Sequence, residues 1–327
     1  MRESALVPSE NGNDVDAAAR ARMIADVAQG LLRGGQKELP PTYFYDEHGS
    51  RLFDEITRLP EYYPTRAERL LLESSTAEIL GMTSPRALAE LGAGTASKSR
   101  VLLRELVRSG PAQYLPIDVD VVTLGTTAGE LRAEFPSLEV LPIVADMRDD
   151  VAAIGARHPL LYAFLGSTIG NFDGPASHDL LCRIRATLRP TDRFLLGMDL
   201  VKDVAVIEAA YNDRAGITAA FNLNILRVLN NSLGADFDVD RFVHRAFYDV
   251  HLARIEMHLD SVGAQAVCIP GIGRVAFADG ESIRTEISCK YTRESATQML
   301  GRAGFRVIGW LTGEEPLFAL ALAEPSA

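Results

Sequence analysis

Between about residues 65 and 209 the chain alternates short apolar runs with amphipathic stretches. That rhythm restricts it to a parallel sheet joined by crossover helices, an α/β fold. Strands are expected over 87–92, 113–119, 138–145, 160–166 and 193–199, with helices such as SKSRVLLRELVRSG between them. Open sheets of this kind bind ligands outside the carboxyl ends of their strands, so the residues just past each run are the first to inspect. At 327 residues the chain also exceeds the roughly 100 to 200 of one ordinary domain, so a second lobe is expected.

The regions outside the alternation have a different texture. Residues 1–15 read as a loose polar tail before a helix over 16–32. Aromatics, Pro and charges crowd the stretch PPTYFYDEHGSRLFDEITRLPEYYP, which is too irregular for one element and suits a pocket wall. Past Lys202 a helical region leads into a strand-like alternation over 249–259. A helix in SATQMLGRAG, ended by Gly304, then precedes a strand pair around the turn GEEP that should rejoin the first sheet. The expected division is a tail over 1–15, a smaller α+β substrate lobe from 16–65 and 202–289, and a Rossmann-like domain from 66–201 and 290–327.

Composition removes several classes. With 33 basic against 44 acidic side chains, the formal net charge of −11 opposes a nucleic-acid backbone, and no basic stripe offsets it. Cys182, Cys268 and Cys289 are far apart and odd in number, which argues against disulfides or structural zinc and for a reducing cytoplasm. No apolar run approaches the roughly 20 residues of a membrane span, and MRESALVPSENGNDVD does not read as a signal peptide. A cytoplasmic monomer with no nucleic-acid or membrane partner is expected.

At the first strand end stands Glu90-Leu91-Gly92-Ala93-Gly94-Thr95, followed by a helix. Glycines there admit a ligand to the backbone, and a helix N-terminus favours an anionic group. A dinucleotide fingerprint wants a third glycine where this chain has Ser97; the pattern EXGXG suits folds that hold S-adenosylmethionine. Asp118, ending the next strand, can accept both ribose hydroxyls, and Asp146 with Met147 can take the adenine amino group and cover the base. The fourth strand runs into Gly166 and then Asn171, which can orient an acceptor amine or cap a helix.

The segments FYDEHGSRLFDEITRLPEYYPTRAE, AELGAGTASKSR, FLGSTIGN, GMDLVKD, AYNDRAGITAAFNLNIL, RIEMHL and TEISCK closely resemble the L-histidine Nα-methyltransferases of ergothioneine biosynthesis, from about Lys37 to the C-terminus. The resemblance implies a two-lobed class I methyltransferase that uses S-adenosylmethionine to trimethylate the α-amine of L-histidine, giving hercynine. It further implies that Tyr62 and Tyr211 hold the substrate carboxylate, and that Asn171 holds the amine. Glu286 and Ser288 would bind the imidazole, with Met257 beside it and Tyr45 and Phe53 near the substrate. Gly92, Lys98 and Asp118 would serve the cofactor. The family often has Asp-Phe where this chain has Asp146-Met147, a departure that bears on cofactor affinity.

Elementary chemistry suits this division. Glu286 and Ser288 are two residues apart on an expected strand and therefore share a face, where a carboxylate accepts one imidazole N–H and a hydroxyl satisfies the other nitrogen. An α-amine titrates near pH 8, so a useful fraction is neutral at pH 7 and alignment governs the transfer. The aromatic faces of Tyr62, Phe53 or Tyr45 can accommodate the cation that accumulates. Rival readings are a methyltransferase of the same fold acting on tryptophan or tyrosine, and a silent S-adenosylmethionine-binding scaffold. His244, His251 and His258 recur every seven residues but sit in strand-like sequence with the wrong spacing for a compact metal site, so no metal is expected. Asp149-Asp150 and Asp238/Asp240 read as solvated loops or caps, and Lys202 as a brace for a neighbour.

Overall fold

The computed structural model describes residues 12–148 and 151–326, so residues 1–11 of the tail expected over 1–15 and the pair Asp149-Asp150 lie outside the described residues, while residues 12–15 already belong to the first helix, which starts four residues before the expected Asp16. Two compact units emerge: one takes the chain up to Leu59, with Tyr211–Phe247 and Glu256–Glu286, and the other Pro60–Ala210, Tyr248–Ile255 and Ile287 onward. The chain opens with α1 (Gly12–Leu31), the two-residue β1 (Lys37–Glu38) and α2 (Glu47–Ile56). It continues through α3 (Pro64–Thr83), β2 (Ala87–Leu91), α4 (Arg100–Arg108), β3 (Ala112–Asp118), α5 (Val121–Glu134), β4 (Leu138–Val140) and β5 (Ile143–Val144). Next come β6 (Leu160–Phe164), α6 (Gly174–Thr187), β7 (Arg193–Asp199), α7 (Val204–Tyr211) and α8 (Ile217–Leu233). The strands β8 (Phe242–Asp249), β9 (Arg254–Ser261), β10 (Gln265–Ile269), β11 (Gly273–Phe277) and β12 (Ser282–Cys289) follow. Last are α9 (Arg293–Arg302), β13 (Phe305–Thr312) and β14 (Phe318–Pro325). Among the described residues no helix is long and apolar enough to cross a membrane.

The larger sheet runs β13-β14-β7-β6-β2-β3-β4, with β5 also beside β3. Strands β2 to β7 pair in parallel, whereas β14 joins β7 antiparallel and β13 joins β14 antiparallel. Strand β2 starts the fold in the middle: the chain works outward to β3 and β4, then returns to lay β6 on the other side. Successive crossovers therefore diverge between β2 and β6, which is where such a sheet opens a crevice at its carboxyl ends. Side-chain alternation explains why helices cover both faces. Ala87, Ala89 and Leu91 of β2 face a core with Leu180 and Ile184 of α6 and Leu300 of α9. Leu88 faces the other, with Leu72 and Ile79 of α3 and Leu103 of α4.

A second sheet has the order β1-β12-β9-β8, and β10 pairs antiparallel with β11. In the first unit Asn222 of α8 donates to the His258 carbonyl at 3.0 Å while its own oxygen accepts from the Thr285 hydroxyl at 2.6 Å.

Three elements differ from the sequence expectation, each for a local reason. The strand expected over 138–145 breaks into β4 and β5 around Pro142, which has no N–H for a ladder. The aromatic-rich stretch contains a regular helix, α2, started by the Asp46 side chain accepting from the Gly49 N–H at 2.7 Å. The alternation over 249–259 conceals a hairpin turn, in which the Asp249 carboxylate accepts from the backbone of His251 and Leu252. His244 and His258 thus fall on two strands and His251 in an exposed turn between them. Asp238 is a cap, accepting from the Asp240 N–H.

Two buried carboxylates are built into the second unit. Glu68 of α3, fully buried, accepts from Lys98 at 2.5 Å and from the Gly166 N–H at 2.7 Å. Gly197 of β7 leaves it room: a Cβ there would overlap Glu68 Oε1 and stand 3.3 Å from Phe318. Glu90 of β2, 3 % exposed, accepts from the hydroxyls of Ser99 and Tyr114. Burial outweighs those hydrogen bonds and pushes its pKa up to about 7.

Gly197→Ala should lower stability by about 1 to 3 kcal/mol, the usual range for overpacking, and displace Glu68. A denaturant midpoint equal to wild type would show that the Glu68 niche is not tight. For Glu90 the folded state holds the proton more tightly than the unfolded chain, so this group's stabilisation is full below about pH 4.5 and is lost as pH rises through about 7. Denaturation of wild type and Glu90→Gln at pH 5 and pH 8 should therefore show the variant gaining on wild type at the higher pH. A difference independent of pH would contradict the burial argument.

Candidate active site

The crevice between β2 and β6 lies within the second unit and is lined by backbone. Gly92, Gly94 and Gly166 have φ values of +68°, +49° and +80°, conformations that side chains rarely tolerate. The Gly92 N–H donates to the Ile117 carbonyl at 2.8 Å, folding the loop after β2 onto the end of β3. There Asp118 accepts from the Gly94 N–H at 2.8 Å and the Asp120 N–H at 3.1 Å. Two hydrogen bonds leave a carboxylate with further acceptor capacity. A Cβ at Gly94 would meet nothing within 4 Å, so the backbone is open to a ligand there.

The next strand end closes the same cradle. A Cβ at Gly92 would lie 3.6 Å from Met147 Cε, placing the thioether over the glycine turn. Asp146 holds Arg148 through its guanidinium at 2.8 Å and its backbone N–H at 2.9 Å. Across the crevice, Lys98 Nζ lies 3.1 Å from where a Gly166 Cβ would stand, and its charge is met by Glu68. The structure thus brings Gly92, Gly94, Lys98, Asp118, Met147 and Gly166 into one contiguous surface, with Asp146 next in the chain. Exposed glycine backbone, carboxylates at adjacent strand ends and an apolar cover fit an adenosyl group, which presents hydroxyls, a base and an amino-acid tail.

The remaining candidates occur in two sets. In the first unit Tyr45 packs edge-on to Phe53 at 5.8 Å and to Phe221 at 5.6 Å between ring centroids. Tyr45 is 48 % exposed, but the protein packed around it disfavours a phenolate and the nearby Glu286 carboxylate adds to this, so its pKa is raised above the usual phenol range. Tyr45 is therefore a neutral hydrogen-bonding group and not a base at pH 7. Met257 is buried in β9, its carbonyl accepting from Thr285 at 3.1 Å.

The second set belongs to the second unit. Asn171 ends a 3-10 turn, Thr168–Asn171, whose Gly170 abuts the end of β12: a Cβ there would stand 2.9 Å from the Cys289 carbonyl and 3.3 Å from Ser288 Oγ. Asn171 does not cap the next helix, because Asp173 does. Tyr62 lies immediately before Tyr63, whose hydroxyl donates to Asp199 at 2.8 Å. Lys202, read as a brace, bonds Asp199 at 2.5 Å; desolvation drives its pKa down to about 8. Back in the first unit, which also holds Tyr211, His244 is wedged between Asn222 and the Tyr211 carbonyl, and burial lowers its pKa.

Sequence reading passed over Glu68, Phe221 and Lys290. Glu68 lies inside the quoted PTRAE segment and Lys290 ends TEISCK, but a charge buried by its neighbours has no periodic signature. Phe221 follows the helical spacing of α8 and reads as ordinary core.

A family model described as histidine-specific methyltransferase, SAM-dependent, matches residues 23–325. The histidine N-alpha-methyltransferase of Mycolicibacterium smegmatis is 43 % identical over 314 residues, covering 94 % of this chain and 96 % of its own. Ergothioneine biosynthesis protein 1 of Neurospora crassa is 31 % identical over 86 % of this chain, which spans 33 % of that longer protein. In fold the chain is similar to the CcbJ methyltransferase of Streptomyces caelestis, with a TM-score of 0.50 and 14 % identity, covering 86 % of this chain and 100 % of that one. Together with the cradle at the β2–β6 switch point, the match over nearly the whole length establishes that the chain belongs to the histidine-specific, S-adenosylmethionine-dependent methyltransferases.

Proposed function

We propose that this enzyme transfers methyl groups from S-adenosylmethionine to the α-amine of L-histidine, three times, giving hercynine for ergothioneine biosynthesis. The observation that carries the substrate reading is the carboxylate of Glu286, which acts on the Tyr45 hydroxyl beside an aromatic cluster and lies two residues from Ser288 on β12. The family description and the names of the relatives above support the same substrate.

On the cofactor side, Asp118 would accept the ribose hydroxyls and Asp146 the adenine amino group. Met147 would cover the base, and the backbone of Gly92, Gly94 and Gly166 with Lys98 would border the rest. The cofactor supplies an electrophilic methyl on a sulfonium sulfur. Asn171 would orient the amine through its side-chain oxygen, with Tyr62 and Tyr211 on the substrate carboxylate. That methyl would pass to the amine lone pair, the carbon–sulfur bond electrons staying on sulfur, and the nitrogen would lose a proton to solvent before each further transfer. The neutral Tyr45 phenol and Phe53 would present hydrogen-bonding and aromatic surface to the growing cation.

Recognition of the ring follows from pairing. Glu286 is partly buried, and a ring with an N–H would add a charge-assisted hydrogen bond to its carboxylate that phenylalanine could not supply, so Glu286 would favour the former. Glu286→Ala should reduce kcat/KM for histidine at least about tenfold, equivalent to about 1.4 kcal/mol, and raise relative activity on phenylalanine. Steady-state kinetics on both amino acids checks this. Unaltered histidine kinetics in the variant would show that Glu286 does not read the imidazole.

A further inference from the structure

The end of β12 carries a lysine that the proposed reaction leaves unused. Lys290 is 3 % exposed, and its ammonium lies 2.8 Å from Ser288 Oγ and 2.9 Å from Asp199 Oδ2. Asp199, 1 % exposed, is itself held by the Tyr63 hydroxyl at 2.8 Å and by Lys202 at 2.5 Å. The backbone fixes the pair: the Lys290 N–H donates to the Ala253 carbonyl at 2.7 Å, and the Tyr291 N–H to the Asp199 carbonyl at 2.9 Å. All of these residues belong to the second unit. A buried ammonium must be compensated to persist.

An ammonium has three donors and no acceptor, so in the Lys290–Ser288 contact the serine oxygen accepts. The hydroxyl proton of Ser288 is thereby turned away from Lys290. Neutral imidazole carries one N–H and one bare nitrogen. If Glu286 accepts the N–H, the bare nitrogen is what a donating Ser288 fits. Without the ammonium beside it, the serine could turn its proton or its oxygen to the ring with similar ease and would better accept a second N–H or tolerate a C–H.

Resting on the proposed role of Ser288 at the imidazole, we infer that Lys290 is a positioning residue that biases the Ser288 hydroxyl towards donating, by occupying one of its lone pairs and placing a positive charge beside the other, so that a substrate with an unprotonated ring nitrogen is favoured over one with a second N–H or a C–H there. Lys290 does not touch the substrate in this arrangement. It sets which chemistry Ser288 can offer.

The test compares L-histidine with the two pyrrolylalanines, each of which keeps one ring N–H and replaces the other nitrogen by C–H. Wild type should prefer histidine over either by at least about tenfold in kcat/KM, as expected for a buried donor left unpaired. Lys290→Gln, whose amide can accept from Ser288, should narrow that ratio by at least about threefold through histidine KM, with kcat little changed. Lys290→Arg, again donor-only, should restore the ratio. In a Ser288→Ala background Lys290→Gln should add less than about a twofold change, because the group it orients is gone. Thermal midpoint and S-adenosylmethionine affinity, measured on each variant, identify any that misfold, and the Gln and Arg variants serve as independent probes. If Ser288→Ala collapses the ratio while Lys290→Gln leaves it at the wild-type value, the inference fails and the substrate reading stands. A wild type inactive on histidine, or a Ser288→Ala variant with wild-type histidine KM, overturns the substrate reading and the inference with it.

Discussion

A single buried carboxylate organises the crevice at the switch point of the larger sheet. Glu68 reaches from α3 to accept from Lys98, in the loop after β2, and from the Gly166 N–H, just past β6. These are the loops that part at the sheet's switch point, so one side chain sets their separation. Its negative charge is countered by Lys98, and the space for it exists because β7 has Gly197 at the point of contact. Burying a carboxylate is expensive unless it is paired and hydrogen-bonded, and both conditions are met here. Removing either partner would leave a charge without compensation, which makes the crevice and the helix packing above it one construction.

Much of the Rossmann-like sheet was legible because its strands are apolar runs bounded by turn residues, a pattern that survives without tertiary information. Strand β7 matches the expected span residue for residue, and the others by one or two residues, except where Pro142 splits β4 from β5. Helix α2 was hidden because its aromatics, His48 and Gly49 weaken the helical signal, while the Asp46 cap that starts it is a single side chain. The hairpin between β8 and β9 was hidden because Val250 and Leu252, apolar in sequence, are exposed in its turn.

The proposed site divides along the same line. Gly92, Gly94, Asp118 and Asp146 could be read from position alone, since strand ends in such a sheet are where ligands bind. Tyr45, Tyr62, Tyr211 and Met257 came only from resemblance, because lone aromatics and a methionine look like core. Glu68 and Lys290 were invisible to both, since what distinguishes them is burial with a specific partner. The chemistry assigned to this enzyme makes modest demands: with a neutral Tyr45 and an amine that deprotonates near pH 8, positioning supplies most of what a methyl transfer needs.

The most direct measurement of the central claim is the product formed by purified protein given S-adenosylmethionine and each of the twenty amino acids in turn, read by mass spectrometry with fragmentation to locate the added groups. The account predicts that L-histidine is the preferred acceptor and accumulates one, two and finally three methyl groups, all on the α-nitrogen. Preferential methylation of tryptophan or tyrosine, methylation of the imidazole ring, or no transfer to histidine would contradict it.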